Sequence, residues 1–352
     1  MQKPLSILFC IMDWGIGHAT RSSVLIDELL RQNVAVQIAS SGAAKAWLEQ
    51  KYPSVKVLEK PSFTIQYPVT GSITWAIIKQ TPALIQISHE EQDWVSKLHQ
   101  IHSFNAILSD NCYGCYHNEI VSVIITHQLN LPLSNPSKLL AQQVLNQQLK
   151  NFDIIWVPDS QNSPRLSGEL SHSTDPRVQY IGPVSRFQLL KHLSIRDGWV
   201  ALASGPEPRR TIFEKELFNL LSRWPGKHHL FTGSVQPMTR SSKKVQVHSL
   251  NNSKAIAETI QDSKGLICRS GYSTLMDITS FNLPVVLVPT EGQAEQEHLA
   301  EHWKNHFGAT IAKVEELSTL EPHGTPPNTP ENTYNLKRII IQFLEQLASK
   351  DK

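Results

Sequence analysis

Short apolar segments alternate with amphipathic segments along most of the chain, and this alternation constrains the fold more than any other feature. In the first half, the apolar segments expected to form strands are LSILFCIM, VAVQIAS, VKVL, NAILSD, VSVIIT and DIIWVPD. Amphipathic segments lie between them, and in TRSSVLIDELLRQ the apolar residues that share one helix face are Val24, Leu25, Leu29 and Leu30. Regular alternation of strand and helix is typical of a parallel sheet with helices on both faces.

The pattern restarts near Tyr180, where QYIGPVSRF precedes a second series of strands: GWVALAS, HHLFTG, KVQVHS, KGLICRS and LPVVLVP. A chain of 352 residues is long enough for two domains. We therefore predict an α/β protein with two doubly wound, Rossmann-like domains that face a cleft. The expected division is an N-terminal domain over 1–180, a C-terminal domain over 181–316, a Pro-, Thr- and Asn-rich linker over 317–332, and a closing amphipathic helix over 333–352.

Composition excludes several function classes. The chain has 33 Lys and Arg against 31 Asp and Glu, so its net charge directs it neither to nucleic acid nor to a membrane surface. Its four cysteines are too few for a disulfide framework. Cys112 and Cys115 form a lone CxxC that lacks the second pair of a typical zinc site, so ordinary packing is the favoured interpretation over a redox or metal role. With neither a signal peptide nor a membrane-spanning segment, the expected location is the cytoplasm.

An early glycine-containing turn, GIGHATRS, follows the first predicted strand. Gly15 and Gly17 resemble the start of a dinucleotide-binding loop, but Thr20 stands where that loop has its third glycine. Ser40 and Ser41 end the second strand, where an NAD-binding protein has an acidic residue for the ribose. These departures disfavour NAD binding.

His18 is the more informative residue of this turn. It comes directly after the glycines, at the start of the next helix and near the carboxyl end of the first strand. The positive end of the helix dipole disfavours an imidazolium, so the ring is expected to be neutral near pH 7. A neutral imidazole can accept a proton from a hydroxyl group. A histidine that only caps or packs against the turn is the alternative.

Two other residues at strand ends bear on this interpretation. Asp110 closes the strand NAILSD, and its carboxylate would fix the tautomer of His18 if the two side chains met. Asp110 as an ordinary helix cap or turn residue is the alternative. His127, after the strand VSVIIT, is the competing candidate base.

The second half contains a candidate phosphate site. An apolar strand leads into Arg269, Ser270 and Gly271, and Ser273 and Thr274 follow in the first turn of the next helix. Gly271 lets the backbone approach a ligand, and the unpaired amides, hydroxyls and dipole of a helix start favour an anion.

Polar residues near this turn are suited to the rest of a nucleotide sugar. Asp277 could accept hydrogen bonds from the two hydroxyls of a ribose, and Gln293, Gln296 and Glu297 carry planar groups suited to sugar hydroxyls. An ordinary capped helix and a solvated loop would use the same residues.

Two further turns follow strands of the same predicted sheet. Ser204 and Gly205 can present amides to a diphosphate, with Arg209 or Arg210 adding positive charge, and Gly233 marks the third turn. Three turns of small residues at one sheet edge favour the binding interpretation.

The segments GIGHATRS and RSGYSTLMDITSFNLPVVLVPTEGQAEQEHLAEHW together resemble the two-domain GT-B glycosyltransferases. The resemblance covers most of residues 1–315. It points to the branch of the cell-wall lipid-linked N-acetylglucosaminyltransferase and the monogalactosyldiacylglycerol synthases. SDNCYG, THQL and SGPEPRRT also resemble a bacterial group of that branch.

The resemblance implies roles by position. Gly15 and Gly17 match the first glycine loop of the family, beside the donor phosphate and the acceptor, and His18 matches the proposed base or sugar contact. The turn 269–274 matches the nucleotide-diphosphate loop. Residues 1–180 would form the acceptor side and residues 181–316 the donor side.

Three positions depart from the family pattern. Asp277 stands where the family usually has a ribose-binding glutamate with a longer side chain. Gln296 and Glu297 stand where paired glutamines commonly contact the donor sugar, so the Glu points to a sugar other than N-acetylglucosamine. The glycine loop is plainer than that of the cell-wall enzyme, which indicates a different acceptor.

The resulting prediction is an inverting glycosyltransferase that moves a sugar from a nucleotide diphosphate sugar, most simply UDP-linked, to a hydroxyl acceptor. No DxD-type motif lies in a suitable loop, so metal-independent transfer without a separate cofactor is expected. An epimerase or hydrolase on the same fold, or a binding subunit without turnover, are the alternatives.

The expected partners are a nucleotide sugar and a hydroxyl acceptor, with a lipid-linked acceptor and peripheral membrane contact as options, and with no nucleic acid. Residues 61–87 could form an acceptor-side surface in which Trp75, Ile77 and Ile78 touch a lipid carrier. Core packing of these three residues is the favoured alternative.

Overall fold

The computed structural model describes residues 4–66, 68, 71–132, 137–187, 197–233, 242–249 and 252–350. The chain divides into two compact units. The N-terminal unit consists of Met1–Gln66, Ile77–Val184 and Glu331–Lys352, and the C-terminal unit consists of Tyr67–Ala76 and Ser185–Pro330.

Within the described residues, seven parallel strands form the sheet of the N-terminal unit, in the order β3-β2-β1-β4-β5-β6-β7. In chain order they are β1 (Ser6–Ile11), β2 (Ala35–Ser40), β3 (Val57–Glu59), β4 (Ala106–Asp110), β5 (Val121–Ile125), β6 (Ile154–Val157) and β7 (Val178–Tyr180). Strands β1 and β4 are buried almost throughout because helices cover both faces. The strand order reverses between β1 and β4, which is where doubly wound sheets bind ligands.

The C-terminal unit repeats this plan. Six parallel strands of its described residues form a sheet in the order β10-β9-β8-β11-β12-β13. They are β8 (Val200–Ala203), β9 (His228–Thr232), β10 (Val245–Ser249), β11 (Leu266–Cys268), β12 (Val285–Leu287) and β13 (Thr310–Ile311). The order reverses between β8 and β11. The predicted α/β class with two doubly wound sheets is confirmed.

Helices connect the strands. They are α1 (Ile16–Arg31), α2 (Gly42–Lys51), α3 (Ile73–Lys79), α4 (Thr81–His102), α5 (Ser137–Leu149), α6 (Arg209–Arg223), α7 (Ser253–Gln261), α8 (Tyr272–Ile278), α9 (Ala294–Phe307) and α10 (Leu336–Lys350). In the part of the chain that the structure describes, none of them combines the length and the apolar character that a bilayer crossing requires.

The closing helix, expected as a separate element over 333–352, belongs to the N-terminal unit. Helix α10 buries Ile340, Phe343 and Leu347, and the ring of Phe343 packs edge-on against that of Trp156 at 5.0 Å. Burial of each such side chain stabilises the unit by about 1.5–3 kcal/mol. The apolar face of α10 therefore packs against the N-terminal unit, where Phe343 contacts Trp156 of β6.

The segment expected as a linker over 317–332 packs onto the C-terminal unit as far as Pro330. Leu317 lies in the apolar core of that unit. The indole Nε1 of Trp224 donates to the Leu320 carbonyl at 2.9 Å, and the Asn328 amide donates to the Phe307 carbonyl at 2.8 Å. These contacts give a Pro-rich segment a fixed course without regular secondary structure.

Candidate active site

The first candidate site lies where the strand order of the N-terminal unit reverses. Strands β1 and β4 are paired, with Ile11 opposite Asp110. The chain leaves β1 through a turn in which Gly15 has φ +98°, a conformation that L side chains rarely adopt, and α1 begins at the next residue. His18 is consequently in the first turn of α1, beside the carboxyl ends of both strands.

The side chains of α1 converge on the Asp110 carboxylate. The His18 Nδ1 lies 2.8 Å from Asp110 Oδ1, and the Arg21 Nε donates to Oδ2 at 2.8 Å. The Arg21 Nη2 donates to Oδ1, and the Ser22 hydroxyl donates to Oδ2 at 2.5 Å. Residues i, i+3 and i+4 share one face of a helix, so one buried carboxylate engages all three.

This arrangement determines the protonation of both partners. Burial raises the pKa of Asp110, but Arg21 and His18 lower it further, and the net result lies well below the ordinary value. Burial and the neighbouring Arg21 lower the pKa of His18, against the opposing effect of Asp110. An ionised carboxylate only accepts hydrogen bonds, so the Nδ1 of a neutral His18 carries the proton. The Nε2 of His18 is then the basic atom, on a side chain that is 19% exposed.

His127, the competing base, is buried after β5. Its charge contributes to lowering the pKa of His18, which places it in the same region of the unit. Asp110 accepts its hydrogen bonds from His18, Arg21 and Ser22. His18 is therefore the histidine that the carboxylate orients.

The second candidate site lies where the strand order of the C-terminal unit reverses. Ser204 and Gly205 follow β8, and the turn 269–274 follows β11. Gly205 has φ +117°, and a Cβ added there or at Gly271 would meet no atom within 4 Å. Gly271 precedes the first turn of α8, in which Ser273 and Thr274 are half-buried. The backbone at both turns is thus open to a ligand.

Arg269, a candidate donor-binding residue of the turn 269–274, has a buried side chain. Its Nη1 donates at 3.0 Å to the carbonyls of Val288 and Pro289, and its guanidinium stacks 3.8 Å from the Phe213 ring centroid. Burial and the nearby Arg209 lower its pKa to about 10. These contacts join the ends of β11 and β12.

The side chains of Ser270, Gln296 and Glu297 are hydrogen-bonded to backbone groups. The Ser270 hydroxyl donates to the Gln296 carbonyl at 2.7 Å. The Gln296 Oε1 accepts from the Thr290 amide at 2.9 Å, and the Glu297 Oε1 accepts from the Gly292 amide at 2.6 Å. Gln293 occupies the N-cap position of α9 and is half-buried. The expected sugar-contacting residues therefore shape the loop 290–293.

Asp277 has partners of its own that the sequence did not indicate. Its Oδ1 accepts from the Ser185 hydroxyl at 3.2 Å and from the Arg186 amide at 3.1 Å. Its Oδ2 accepts from the Arg186 Nε at 2.9 Å. Burial raises the pKa of Asp277, and Arg186 opposes that effect. A ribose would use the acceptor capacity that these three bonds leave.

The two arginines after β8 bind protein carbonyls and carboxylates. Arg209 donates to the carbonyls of Pro68, Gly71 and Glu291, so it ties Pro68 and Gly71 to the loop 290–293. Arg210 donates to the Glu207 carboxylate at 2.5 Å and to the Gly233 carbonyl at 3.2 Å. A Cβ on Gly233 would lie 2.8 Å from the Arg210 Cδ, so Gly233 admits this arginine.

The described residues of the segment 61–87 differ in exposure. Trp75 is 49% exposed, so it is not a core residue, whereas Ile77 and Ile78 are half-buried. Core packing, the favoured alternative, therefore does not describe Trp75.

Comparison with known proteins relates this chain to glycosyltransferases. Residues 219–337 match the glycosyltransferase family 28 C-terminal domain, a range that includes the turn 269–274 and the loop 290–293. The chain is a GT-B glycosyltransferase. An uncharacterized glycosyltransferase of Methanosarcina acetivorans is 23% identical over 99% of this chain and 92% of its own length.

Solved structures agree in fold with this glycosyltransferase. Arabidopsis thaliana UGT89C1, solved with UDP-L-rhamnose, has a TM-score of 0.63 and 12% identity over 99% of this chain and 95% of its own. MurG of Acinetobacter baumannii has a TM-score of 0.53 and 11% identity over 99% of this chain and 93% of its own. The predicted GT-B resemblance and the glycosyltransferase class are confirmed.

Proposed function

We propose that the glycosyltransferase transfers a sugar, with inversion and without a metal ion in the transfer step, from a UDP-sugar to a hydroxyl acceptor. The observation that carries the proposal is the His18–Asp110 pair, with 2.8 Å between Nδ1 and Oδ1, at the strand-order reversal of the N-terminal unit.

His18 acts as the general base. Its Nε2 takes the proton of the acceptor hydroxyl while the oxygen attacks the anomeric carbon on the face opposite the nucleotide diphosphate. Asp110 keeps the proton on Nδ1 and stabilises the imidazolium that forms. Arg21 keeps Asp110 ionised, so the carboxylate remains an acceptor throughout.

The C-terminal unit binds the departing diphosphate. The open backbone at Gly205 and Gly271 supplies amides, and Ser273 and Thr274 supply hydroxyls at the first turn of α8. Donors fixed before the reaction stabilise the charge that develops on the leaving group without needing to reorganise. In the N-terminal unit, Gly15 and Gly17 adjoin His18 and border the acceptor.

Residues near these turns bind the ribose and the sugar of the donor. Asp277 binds the ribose through its remaining acceptor capacity, and Gln293 binds the donor sugar directly. Gln296 and Glu297 act through the loop 290–293, whose amides they hold. The UDP-L-rhamnose bound by UGT89C1 supports the choice of uridine.

A donor panel tests the function. The purified chain is incubated with UDP-, dTDP- and GDP-sugars and a mixture of hydroxyl acceptors, and nucleotide diphosphate release is followed with and without EDTA. The proposal predicts acceptor-dependent release of UDP that EDTA does not lower, and a product of inverted anomeric configuration by NMR. Donor conversion without an acceptor would favour an epimerase or hydrolase. Absence of nucleotide affinity by calorimetry would favour a non-catalytic subunit.

A further inference from the structure

Three of the four cysteines meet inside the N-terminal unit. Cys10 lies in β1, and Cys112 and Cys115 lie in the turn that follows β4. All are free thiols and fully or nearly fully buried. All three belong to the same cluster of buried core residues. The fourth cysteine, Cys268, lies in β11 of the other unit.

A carboxylate completes the cluster. Glu91, buried on α4, brings a carboxylate oxygen to the two thiols of the CxxC turn, and the three ligand atoms of Glu91, Cys112 and Cys115 lie within 4.8 Å of one another. In a tetrahedral zinc site with Zn–S bonds of about 2.3 Å, neighbouring sulfur atoms lie about 3.7 Å apart. Small side-chain rotations therefore convert this cluster into a coordination shell.

The surrounding backbone holds the ligands in place. The Cys115 amide donates to the Cys112 carbonyl at 3.1 Å, which closes the turn between the two thiols. The Gly114 amide donates to the Glu91 Oε2 at 3.1 Å. A Cβ on Gly114 would lie 1.9 Å from the Ser88 carbonyl oxygen, so only glycine lets the turn approach α4 this closely.

The charges of the cluster match a divalent cation. Lys60 is buried with its Nζ 2.7 Å from the Glu91 Oε1, and this pair has no net charge. A dication bound by two thiolates is neutralised by them, so the buried cluster as a whole carries no net charge.

A second group of residues with suitable chemistry lies on the same unit but is less suited to a metal. The ligand atoms of His99, His117 and Glu119 also cluster. However, the Nδ1 of His99 accepts from the Phe104 amide and the Nδ1 of His117 accepts from the Glu119 amide. A metal-bound histidine instead donates from its second nitrogen.

We propose that Glu91, Cys112 and Cys115 form a structural site for a thiophilic divalent cation, Zn²⁺ being the representative, with Cys10 the adjacent thiol that completes a four-ligand shell. Thiolate ligands in a closed, buried shell select zinc over magnesium or calcium. The site joins α4 to the turn that directly follows Asp110. It takes no part in the transfer step.

Metal content of the full chain tests the site. Protein without a polyhistidine tag is exposed to Zn²⁺, freed of unbound metal and assayed by mass spectrometry. We expect about one zinc per chain in the wild type. The same content is expected in Cys268→Ser, the matched control that removes a buried thiol from the other unit. We expect at least a tenfold lower content in Cys112→Ser and Cys115→Ser, with circular dichroism to verify folding.

Cobalt substitution decides the matter on the wild type alone, in case the variants do not fold. Co²⁺ bound by two thiolates gives a near-ultraviolet charge-transfer band and the visible spectrum of tetrahedral cobalt. The site is supported if folded wild-type protein shows this band and the band disappears when added Zn²⁺ displaces the cobalt. Folded wild-type protein that gives no such band and retains no zinc overturns it.

Discussion

The Nδ1 of His18 lies 2.8 Å from the Oδ1 of Asp110, and this contact joins the first turn of α1 to the carboxyl end of β4. It is the geometry in which a carboxylate fixes the tautomer of a general base. Arg21 and Ser22 bind the same carboxylate from the same helix face. The orientation of His18 is therefore built into the N-terminal unit itself.

The pH dependence of turnover follows from the pKa of His18. The base must be neutral, and burial together with Arg21 lowers its pKa below the ordinary 6.5. Activity is therefore retained above pH 6.5 and lost as the pH falls through the lowered value. The measurement is kcat/KM for the donor between pH 5 and 9. An acid limb with a midpoint above 6.5 would contradict the assignment of the base.

Removal of the Asp110 carboxylate should destabilise the protein. The variant Asp110→Ala leaves the buried Arg21 guanidinium without its carboxylate, which costs about 3–5 kcal/mol in the free energy of unfolding. The control Glu59→Ala breaks the exposed pair with Lys45 and should leave the free energy of unfolding nearly unchanged. Urea unfolding measures both. Equal costs for the two variants would show that Arg21 does not depend on Asp110.

A substitution at Gly271 should weaken ligand binding without affecting the stability of the fold. A Cβ at this position meets no protein atom within 4 Å, and φ is −71°, so Gly271→Ala should change stability by less than about 0.5 kcal/mol. A diphosphate that approaches the backbone would meet the new methyl group, so UDP affinity should fall by about tenfold, or ~1.4 kcal/mol. Thermal melting and calorimetry measure the two quantities. Unchanged affinity would place the diphosphate elsewhere.

The proposed contact of Asp277 with the ribose can be tested by comparing the affinities for UDP and 2′-deoxy-UDP. If the carboxylate accepts from the ribose, wild-type protein binds UDP more tightly than 2′-deoxy-UDP, and Asp277→Asn loses most of this preference. Calorimetry with both nucleotides provides the comparison. A preference that survives in a destabilised Asp277→Asn protein would mean that the carboxylate only holds Ser185 and Arg186.

Much of the fold follows from local pattern. Continuous apolar strands between amphipathic helices determine a doubly wound sheet, and the ends of neighbouring strands must then meet. This is why His18 and Asp110, far apart in sequence, could be considered as a pair. Positions 18, 21 and 22 have the spacing of residues that share one helix face. Arginine side chains are usually solvated, however, and nothing in the local sequence indicates that Arg21 is buried.

Other features depend on contacts that sequence periodicity does not encode. The segment 67–76 belongs to the C-terminal unit through the bonds of Arg209 to the carbonyls of Pro68 and Gly71. Gln296 and Glu297 accept hydrogen bonds from backbone amides of the loop 290–293, which the sequence pattern did not indicate, and their contact with sugar hydroxyls stays a prediction. Such hydrogen bonds depend on the folded conformation of the loop, which the sequence pattern does not indicate.

The most direct test of the account is turnover by His18→Ala with the donor and acceptor that the panel identifies. We predict that kcat falls by about 10²–10⁴-fold. The affinity for UDP, measured by calorimetry, should stay unchanged, and His89→Ala, which removes an exposed histidine of α4, should retain full activity. A His18→Ala protein that folds, binds UDP and turns over at the wild-type rate would contradict the proposed mechanism.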